Sequence, residues 1–130
     1  MSRENVDAIW KQNAAVRRGD LEAVAATMDP DILIRTDPRW PEQRIYGQRA
    51  ALAWFSELWE SAGTDYRLEQ VTDLGDRVLA RWCWHIHGLH SGVEGEQRGS
   101  VIWTLREGRI ILEEFFLEHE QALKAVGLEE

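Results

Sequence analysis

Arg77-Val78-Leu79-Ala80-Arg81-Trp82-Cys83-Trp84-His85-Ile86-His87-Gly88-Leu89 is the stretch on which the fold turns. Strand side chains alternate between two faces. One face here is Val78, Ala80, Trp82, Trp84 and Ile86, apolar throughout; the other is Arg77, Leu79, Arg81, Cys83, His85 and His87. The first face must be buried, so the stretch reads as a long strand with one side in a core. The same period of two continues downstream. Residues 97–106 place Val101, Trp103 and Leu105 on one side, and residues 109–118 place Ile111, Glu113, Phe115 and Leu117 on one side. Residues 66–74 form the strand before. Gly75-Asp76 and Glu107-Gly108 are two-residue hairpin turns, and residues 91–95 are a looser one. Four strands joined in this way make an antiparallel meander.

The chain before the meander has a helical period. Val6, Ile9, Trp10, Asn13 and Val16 form a stripe over residues 5–18, with one polar member. Gly19 ends it, and Asp20 is a suitable N-cap for a short second helix carrying Leu21, Val24, Ala25 and Met28 on one side. Asp29-Pro30 stops that helix. Ile32-Leu33-Ile34-Arg35-Thr36 is short and β-branched, hence a strand. In the loop 37–44, Pro38 and Pro41 forbid regular structure. Gly47 precedes a third helix over 48–61, Gly63 follows it as a C′ cap, and residues 120–126 close the chain as a helix. The order is ααβαββββα, the α+β class, in a single domain over residues 1–130.

The 15 Lys and Arg against 23 Asp and Glu give a net charge of −8. So acidic a chain is a poor partner for nucleic acid or for an anionic membrane. Cys83 is the only cysteine, so neither an intrachain disulfide nor a cysteine-rich metal site is expected. Met1 is followed by no apolar leader, and no apolar run is long enough to span a membrane, so a cytoplasmic location is expected. Seven tryptophans are more than a small compact core needs. They point to a thick core or to the walls of an apolar cavity.

Three features resemble a known family. They are Ala15-Val16-Arg17-Arg18-Gly19-Asp20-Leu21-Glu22, the connection Thr36-Asp37-Pro38 through Pro41 to Tyr46-Gly47, and the ending from Trp103-Thr104-Leu105-Arg106-Glu107-Gly108-Arg109-Ile110 through Phe115 to Ala122-Leu123. Together they resemble the SnoaL-like polyketide cyclase group of the nuclear transport factor two-like superfamily, which also contains ketosteroid isomerase. The resemblance implies a cone-shaped curved antiparallel sheet wrapped on helices, ketosteroid isomerase-like, with an apolar pocket between the helices and the inward rows. Isomerases, cyclases, dehydratases, epoxide hydrolases and non-catalytic binders share that fold, so it implies a pocket rather than a reaction. Asp37-Pro38 matches the isomerase pattern of a general-base aspartate just before a proline after the first strand, with a one-residue length difference. The isomerase's oxyanion tyrosine maps near Gln12 and its oxyanion aspartic acid near Val101, so both donors are absent here.

Asp37 and Glu113 are the candidate catalytic pair. Desolvation beside Trp40 would raise Asp37 towards a working base. Alternatively Asp37 bonds a turn amide, or pairs with Arg35 on the same strand face and has a lowered pKa. Glu113 stands by parity in an apolar row, where a carboxylate is costly without a partner, water or a raised pKa. The alternatives are a salt bridge to an arginine, or a bulge that turns it outward. Trp82, Trp84 and Trp103 face inward, as pocket walls or as packed core. Trp40 and Tyr46 flank the loop above them. Asn13, Phe55 and Trp59 supply a helical wall, and Arg35, Val101 and Phe115 complete the candidate ligand-binding set.

His85, His87 and His90 form a cluster, but the strand puts His85 and His87 on the outer face, with no second carboxylate–histidine element at a recognisable spacing. A solvated or interface role is expected, and no metal or other cofactor. The outer face also carries Leu79, Cys83, Ile102, Leu112 and Phe116, which a solvated face does not need. A sheet-to-sheet homodimer is the expected use.

The expected protein binds a hydrophobic cyclic or aromatic small molecule. As an enzyme it would act by cofactor-independent acid/base chemistry, as an isomerase, cyclase, dehydratase or hydrolase, with Asp37 as base and Glu113 as acid or orienting group. The alternative is a non-catalytic ligand-binding or dimerisation module of the same fold. The missing donors at Gln12 and Val101 favour the second reading; two inward carboxylates favour the first.

Overall fold

A computed structural model describes residues 2–87 and 94–128. His90, Leu89 and most of the turn expected at 91–95 lie outside the described residues. The elements are α1 (Ser2–Arg18), α2 (Leu21–Ala26), β1 (Met28–Arg35), β2 (Arg44–Tyr46), α3 (Gln48–Ala62), β3 (Tyr66–Asp73), β4 (Arg77–His87), β5 (Glu94–Arg106), β6 (Arg109–Phe116) and α4 (His119–Ala125). The α+β class holds, with six strands among the described residues where five were expected.

Local chemistry accounts for most boundaries. Ile9, Gln12, Asn13 and Val16, at i, i+3, i+4 and i+7, form a buried stripe on α1. The Asp20 carboxylate caps α2, accepting from the Ala23 N–H at 3.1 Å. Glu107 and Gly108 both have positive φ, 54° and 77°, the signature of a type I′ hairpin turn. Two departures also have local causes. Asp29-Pro30 does not exclude a strand, because Pro30 sits where the β1–β6 ladder is interrupted between Met28 and Leu33, so its missing N–H breaks no pairing. β2 is not expected from the sequence, where Arg44 ends the loop 37–44 and residues 45–46 carry no element; three residues show no period, yet they pair with β1 at the sheet edge, Leu33 opposite Tyr46 and Arg35 opposite Arg44.

The sheet order is β2-β1-β6-β5-β4-β3. β3 to β6 form the expected antiparallel meander, and β1 joins it in parallel along β6. The register shifts in three places, and such bulges bend a sheet. The shift between β5 and β6 matters most. Leu105 pairs with Ile110 but Thr104 pairs with Leu112, so Ile111 is the extra residue. Ile110, rather than the expected Ile111, is therefore the core residue at this end of β6. Without the bulge, Glu113 would stand opposite Ile102 and look outward. With it, Glu113 stands opposite Trp103 and Phe115 opposite Val101, on the inner side.

α1 and α3 pack over that inner side, against β3, β4 and β1. α4 packs on the other side. Its Ala122 is fully buried against Leu79 and Ile102, with Leu74, Phe116, Leu123 and Val126 around them. Two of the five outer apolar residues are thus covered by the chain's own last helix. Among the described residues, no helix is long and apolar enough to cross a membrane.

Candidate functional site

The inner face and the helices enclose a cavity of about 410 Å³. Six of the seven tryptophans line it: Trp40, Trp54, Trp59, Trp82, Trp84 and Trp103. The seventh, Trp10, is exposed on α1. Parity on β4 and β5 delivers Trp82, Trp84 and Trp103 from the sheet. The loop after β1 delivers Trp40, whose ring centroid lies 6.2 Å from Trp82 and 5.8 Å from Phe115. α3 delivers Trp54, Phe55 and Trp59. The Trp82 indole N–H donates to the Ser100 carbonyl at 2.9 Å and that of Trp84 to the Gly63 carbonyl at 3.3 Å. Both rings are held by backbone as well as by packing. Exposed lining residues, Pro41, Glu42, Glu57 and Ser61, mark the mouth. Among the described residues no Lys, Arg or His lines the cavity.

One carboxyl group lies inside. Glu113 is 2% exposed, and its Oε1 accepts from Gln12 Nε2 at 3.2 Å. Burial pushes its carboxyl up to about 7, against the smaller opposing pull of Gln12 and of the Trp103 indole N–H, which lies near the carboxyl without completing a hydrogen bond to it. Tyr66 lies nearby; burial and the Glu113 charge push its phenol well above the ordinary tyrosine range. Among the described residues, three buried side-chain atoms have no hydrogen-bond partner: Asn13 Oδ1, Tyr66 Oη and Trp103 Nε1. All three residues line the cavity. Buried polar groups are almost always satisfied, so these atoms call for water or a ligand in the space between them. A carboxyl titrating near neutrality in such a place can accept or release a proton.

Several candidate residues do not meet here. Asp37 is 1% exposed but does not line the cavity. Its Oδ1 accepts from Arg39 Nε at 2.8 Å and from the Arg39 backbone N–H at 3.0 Å; its Oδ2 accepts from Arg39 Nη2 and from the Leu117 N–H, each at 2.9 Å. Arg39 and these amides hold the carboxyl far below the ordinary aspartate range. A carboxylate so occupied is no base; it ties the loop after β1 to the end of β6. Arg35 does not pair with Asp37. It stands in register with Glu114 on β6 and contacts it at 3.5 Å, away from the cavity. Val101 is fully buried in the core and does not line the space, and Tyr46 is exposed. Asn13, Trp40, Phe55, Trp59, Trp82, Trp84, Trp103, Phe115 and Glu113 do come together.

Gln12, Trp54 and Tyr66 were missed as site residues. Gln12 was read only as a position lacking a donor. Tyr66 was findable, since it pairs with Trp84 in the β3–β4 ladder and so shares its inward parity.

Asp37→Asn is expected to lose about 2 kcal/mol of stability at pH 7, because an amide N–H₂ replaces an acceptor among donors. A carboxyl with a depressed pKa stabilises above its unfolded value, 3.8, and that stability is lost as pH falls below it. Urea denaturation at pH 7 and pH 3 should show the gap between variant and parent narrowing at the lower pH, with ligand binding at pH 7 unchanged.

Comparison with known proteins agrees with this architecture. The sequence profile of the SnoaL-like domain matches residues 11–113. No curated protein sequence matches the chain. Among solved structures, a SnoaL-like protein from Jannaschia sp. CCS1 is 21% identical, with a TM-score of 0.73 over 88% of this chain and 85% of that one. A Mycobacterium tuberculosis protein in complex with estradiol-17beta-hemisuccinate is 19% identical, with a TM-score of 0.78 over 86% and 92%. TerC, co-crystallised with polyporic acid, is 19% identical, with a TM-score of 0.75 over 95% and 98%. At such identities the structural likeness speaks to the fold, while the profile match spans most of the sequence. The chain belongs to the SnoaL-like domain family.

Proposed function

We propose that the cavity binds one uncharged hydrophobic molecule, cyclic or aromatic, and that Glu113 exchanges a proton with it. The observation that carries this reading is a single buried carboxyl, titrating near neutrality, in an aromatic chamber with three unpartnered polar atoms. The six indoles supply flat apolar walls. Tyr66 Oη and Trp103 Nε1 offer hydrogen bonds to a ligand oxygen, and Asn13 Oδ1 offers an acceptor. Glu113, not an Asp37–Glu113 pair, is the acid/base group. The reaction class is cofactor-independent proton transfer next to a carbonyl, as in isomerisation or cyclisation. Two neighbours of the same fold hold estradiol-17beta-hemisuccinate and polyporic acid, which supports a ring-shaped ligand. Among the described residues no Lys, Arg or His lines the cavity, so an anionic group gains no partner from them.

The test is hydrogen–deuterium exchange on ring ketones in D₂O, followed by NMR. Wild-type protein should wash deuterium into positions beside the carbonyl, with a pH midpoint near 7. Glu113→Gln should bind the same ketones, by thermal shift, and lose the exchange by roughly 10²–10⁴-fold. Binding without exchange in the wild type would leave a non-catalytic ligand module, the reading favoured by Asp37 lying outside the cavity.

A second copy of the chain is the partner proposed for the β6 part of the outer sheet face. Leu112 and Phe116 remain partly exposed there, Phe116 at the margin of the cluster that α4 covers. Sedimentation at micromolar concentration should give twice the chain mass.

A further inference from the structure

Away from the cavity, one side-chain cluster has both the chemistry and the spacing of a metal centre. Cys83 and His85 lie two residues apart on β4, so they share the outer face, back to back with Trp82 and Trp84. In the β4–β5 ladder Glu96 stands directly across from His85, and Arg98 across from Cys83. Cys83 Sγ lies 3.6 Å from His85 Nε2, and His85 Nε2 lies 3.5 Å from Glu96 Oε1. The three donor atoms all fall within 4.8 Å of one another.

These separations can be compared with a coordination polyhedron. Zinc binds sulfur at about 2.3 Å, imidazole nitrogen at about 2.0–2.1 Å and carboxylate oxygen at about 2.0–2.2 Å, tetrahedrally. Such bonds set an S···N edge of about 3.6 Å and an N···O edge of roughly 3.3–3.5 Å. The two edges that meet at His85 Nε2, 3.6 Å to Cys83 Sγ and 3.5 Å to Glu96 Oε1, therefore already have the size that a bound ion would impose.

We propose that Cys83, His85 and Glu96 bind a divalent transition-metal ion of the zinc type, with the fourth position open to solvent. The donor set selects the metal: thiolate and imidazole suit zinc and its neighbours, whereas magnesium and calcium take oxygen. Thiolate and carboxylate together balance a dication. Arg98 supports the carboxylate from behind. Its Nε donates to Glu96 Oε2 at 3.0 Å and its Nη1 to Glu69 Oε1 at 2.8 Å, leaving Glu96 Oε1 turned to His85. Orientation of a ligand through its second oxygen is a common outer-shell device. Cys83 is buried beneath, while His85 and Glu96 are partly exposed, so an ion reaches the site from solvent without opening the sheet. His87, next along the same face, faces Asp65 and Glu94 instead.

Cobalt(II), titrated into the full chain kept reduced by a phosphine, tests this. Cys83 is the only cysteine, so a sulfur-to-cobalt charge-transfer band has a single possible source. That band should saturate at one equivalent together with the intense visible absorption of four-coordinate cobalt, and zinc should displace both. Cys83→Ser should abolish the charge-transfer band. His85→Ala and Glu96→Gln, at partly exposed positions, should each weaken cobalt binding by about tenfold or more while keeping the wild-type circular dichroism. No charge-transfer band in the wild type at saturating cobalt would overturn the proposal. So would a band whose titration is the same in the wild type, His85→Ala and Glu96→Gln, which marks cobalt on the thiol alone.

Discussion

Replacing Gly99 by alanine is expected to destabilise the chain by about 3 kcal/mol, as overpacking against rigid neighbours does. That amounts to a fall of roughly 10 °C in Tm for a domain of this size. Gly99 lies opposite Trp82 in the β4–β5 ladder, and the Trp82 indole occupies the space that a side chain would take. A Cβ built there runs into Trp82 Cζ2 and into the backbone carbonyl of Phe116, both closer than real Cβ contacts come. The carbonyl belongs to β6 and cannot retreat without disturbing the pairing of Ser100 with Phe116. Rotating the indole away instead breaks its 2.9 Å bond to the Ser100 carbonyl and its contacts with Trp40 and Tyr66, at centroid distances of 6.2 and 6.0 Å. Either response also deforms a cavity wall, so ketone binding by thermal shift should weaken with stability. A variant that melts with the parent would show that the neighbouring strands yield at no penalty.

Glu113→Gln should have the opposite sign, and only at one end of the pH scale. The Glu113 carboxyl has an ordinary value of 4.5 and is pushed to about 7 in the fold. The folded state therefore favours the protonated form. Its favourable contribution is complete below the unfolded value, declines as pH rises, and is lost above about 7. At pH 8 the protein carries a buried charge, and a neutral amide of the same shape removes a penalty of about 3 kcal/mol. Urea midpoints for parent and variant should coincide near pH 4.5 and separate progressively up to pH 8, with the variant the more stable. Asp37, whose carboxyl is held far below its ordinary range, does not titrate in that window. Parallel curves across the whole range would show that Glu113 titrates normally and would remove the basis for its acid/base role. The variant that gains stability is the one expected to lose proton exchange, a trade common where a strained group does the chemistry.

Much of this was legible in the sequence because β4 announces itself. Five apolar residues at a period of two fix one face, and two short hairpins carry that face along the meander. The tryptophan walls follow directly. Glu113 was placed correctly for an incomplete reason. Its row was read as continuous with Ile111, whereas a bulge at Ile111 reverses the parity and brings Glu113 inward. Periodicity along one strand cannot reveal a bulge, which depends on the partner strand. Asp37 was misread for a related reason. Its engagement depends on Arg39 folding back across a turn and on the Leu117 amide arriving from the far end of the chain. The outer-face acid near His85 was also invisible along β4, since Glu96 comes from across the ladder. Burial of Leu79 and Ile102 under α4 required knowing where a seven-residue helix docks.

The parallel pairing of β1 with β6 bears on how the polypeptide matures as it is synthesised. β1 is translated early, yet one of its two neighbours, β6, is made after every other strand of this sheet, and Ile34 must wait for Glu113. Until then β1 has only the three-residue β2 beside it, and an unpaired edge stays open to other chains. Closing so long a loop is entropically slow, and folds dominated by distant pairings form late rather than progressively. A nascent chain released before Phe116 would hold two orphan edges and an open aromatic basin, so a stop codon just upstream of β6 should yield aggregate rather than a shortened but working domain.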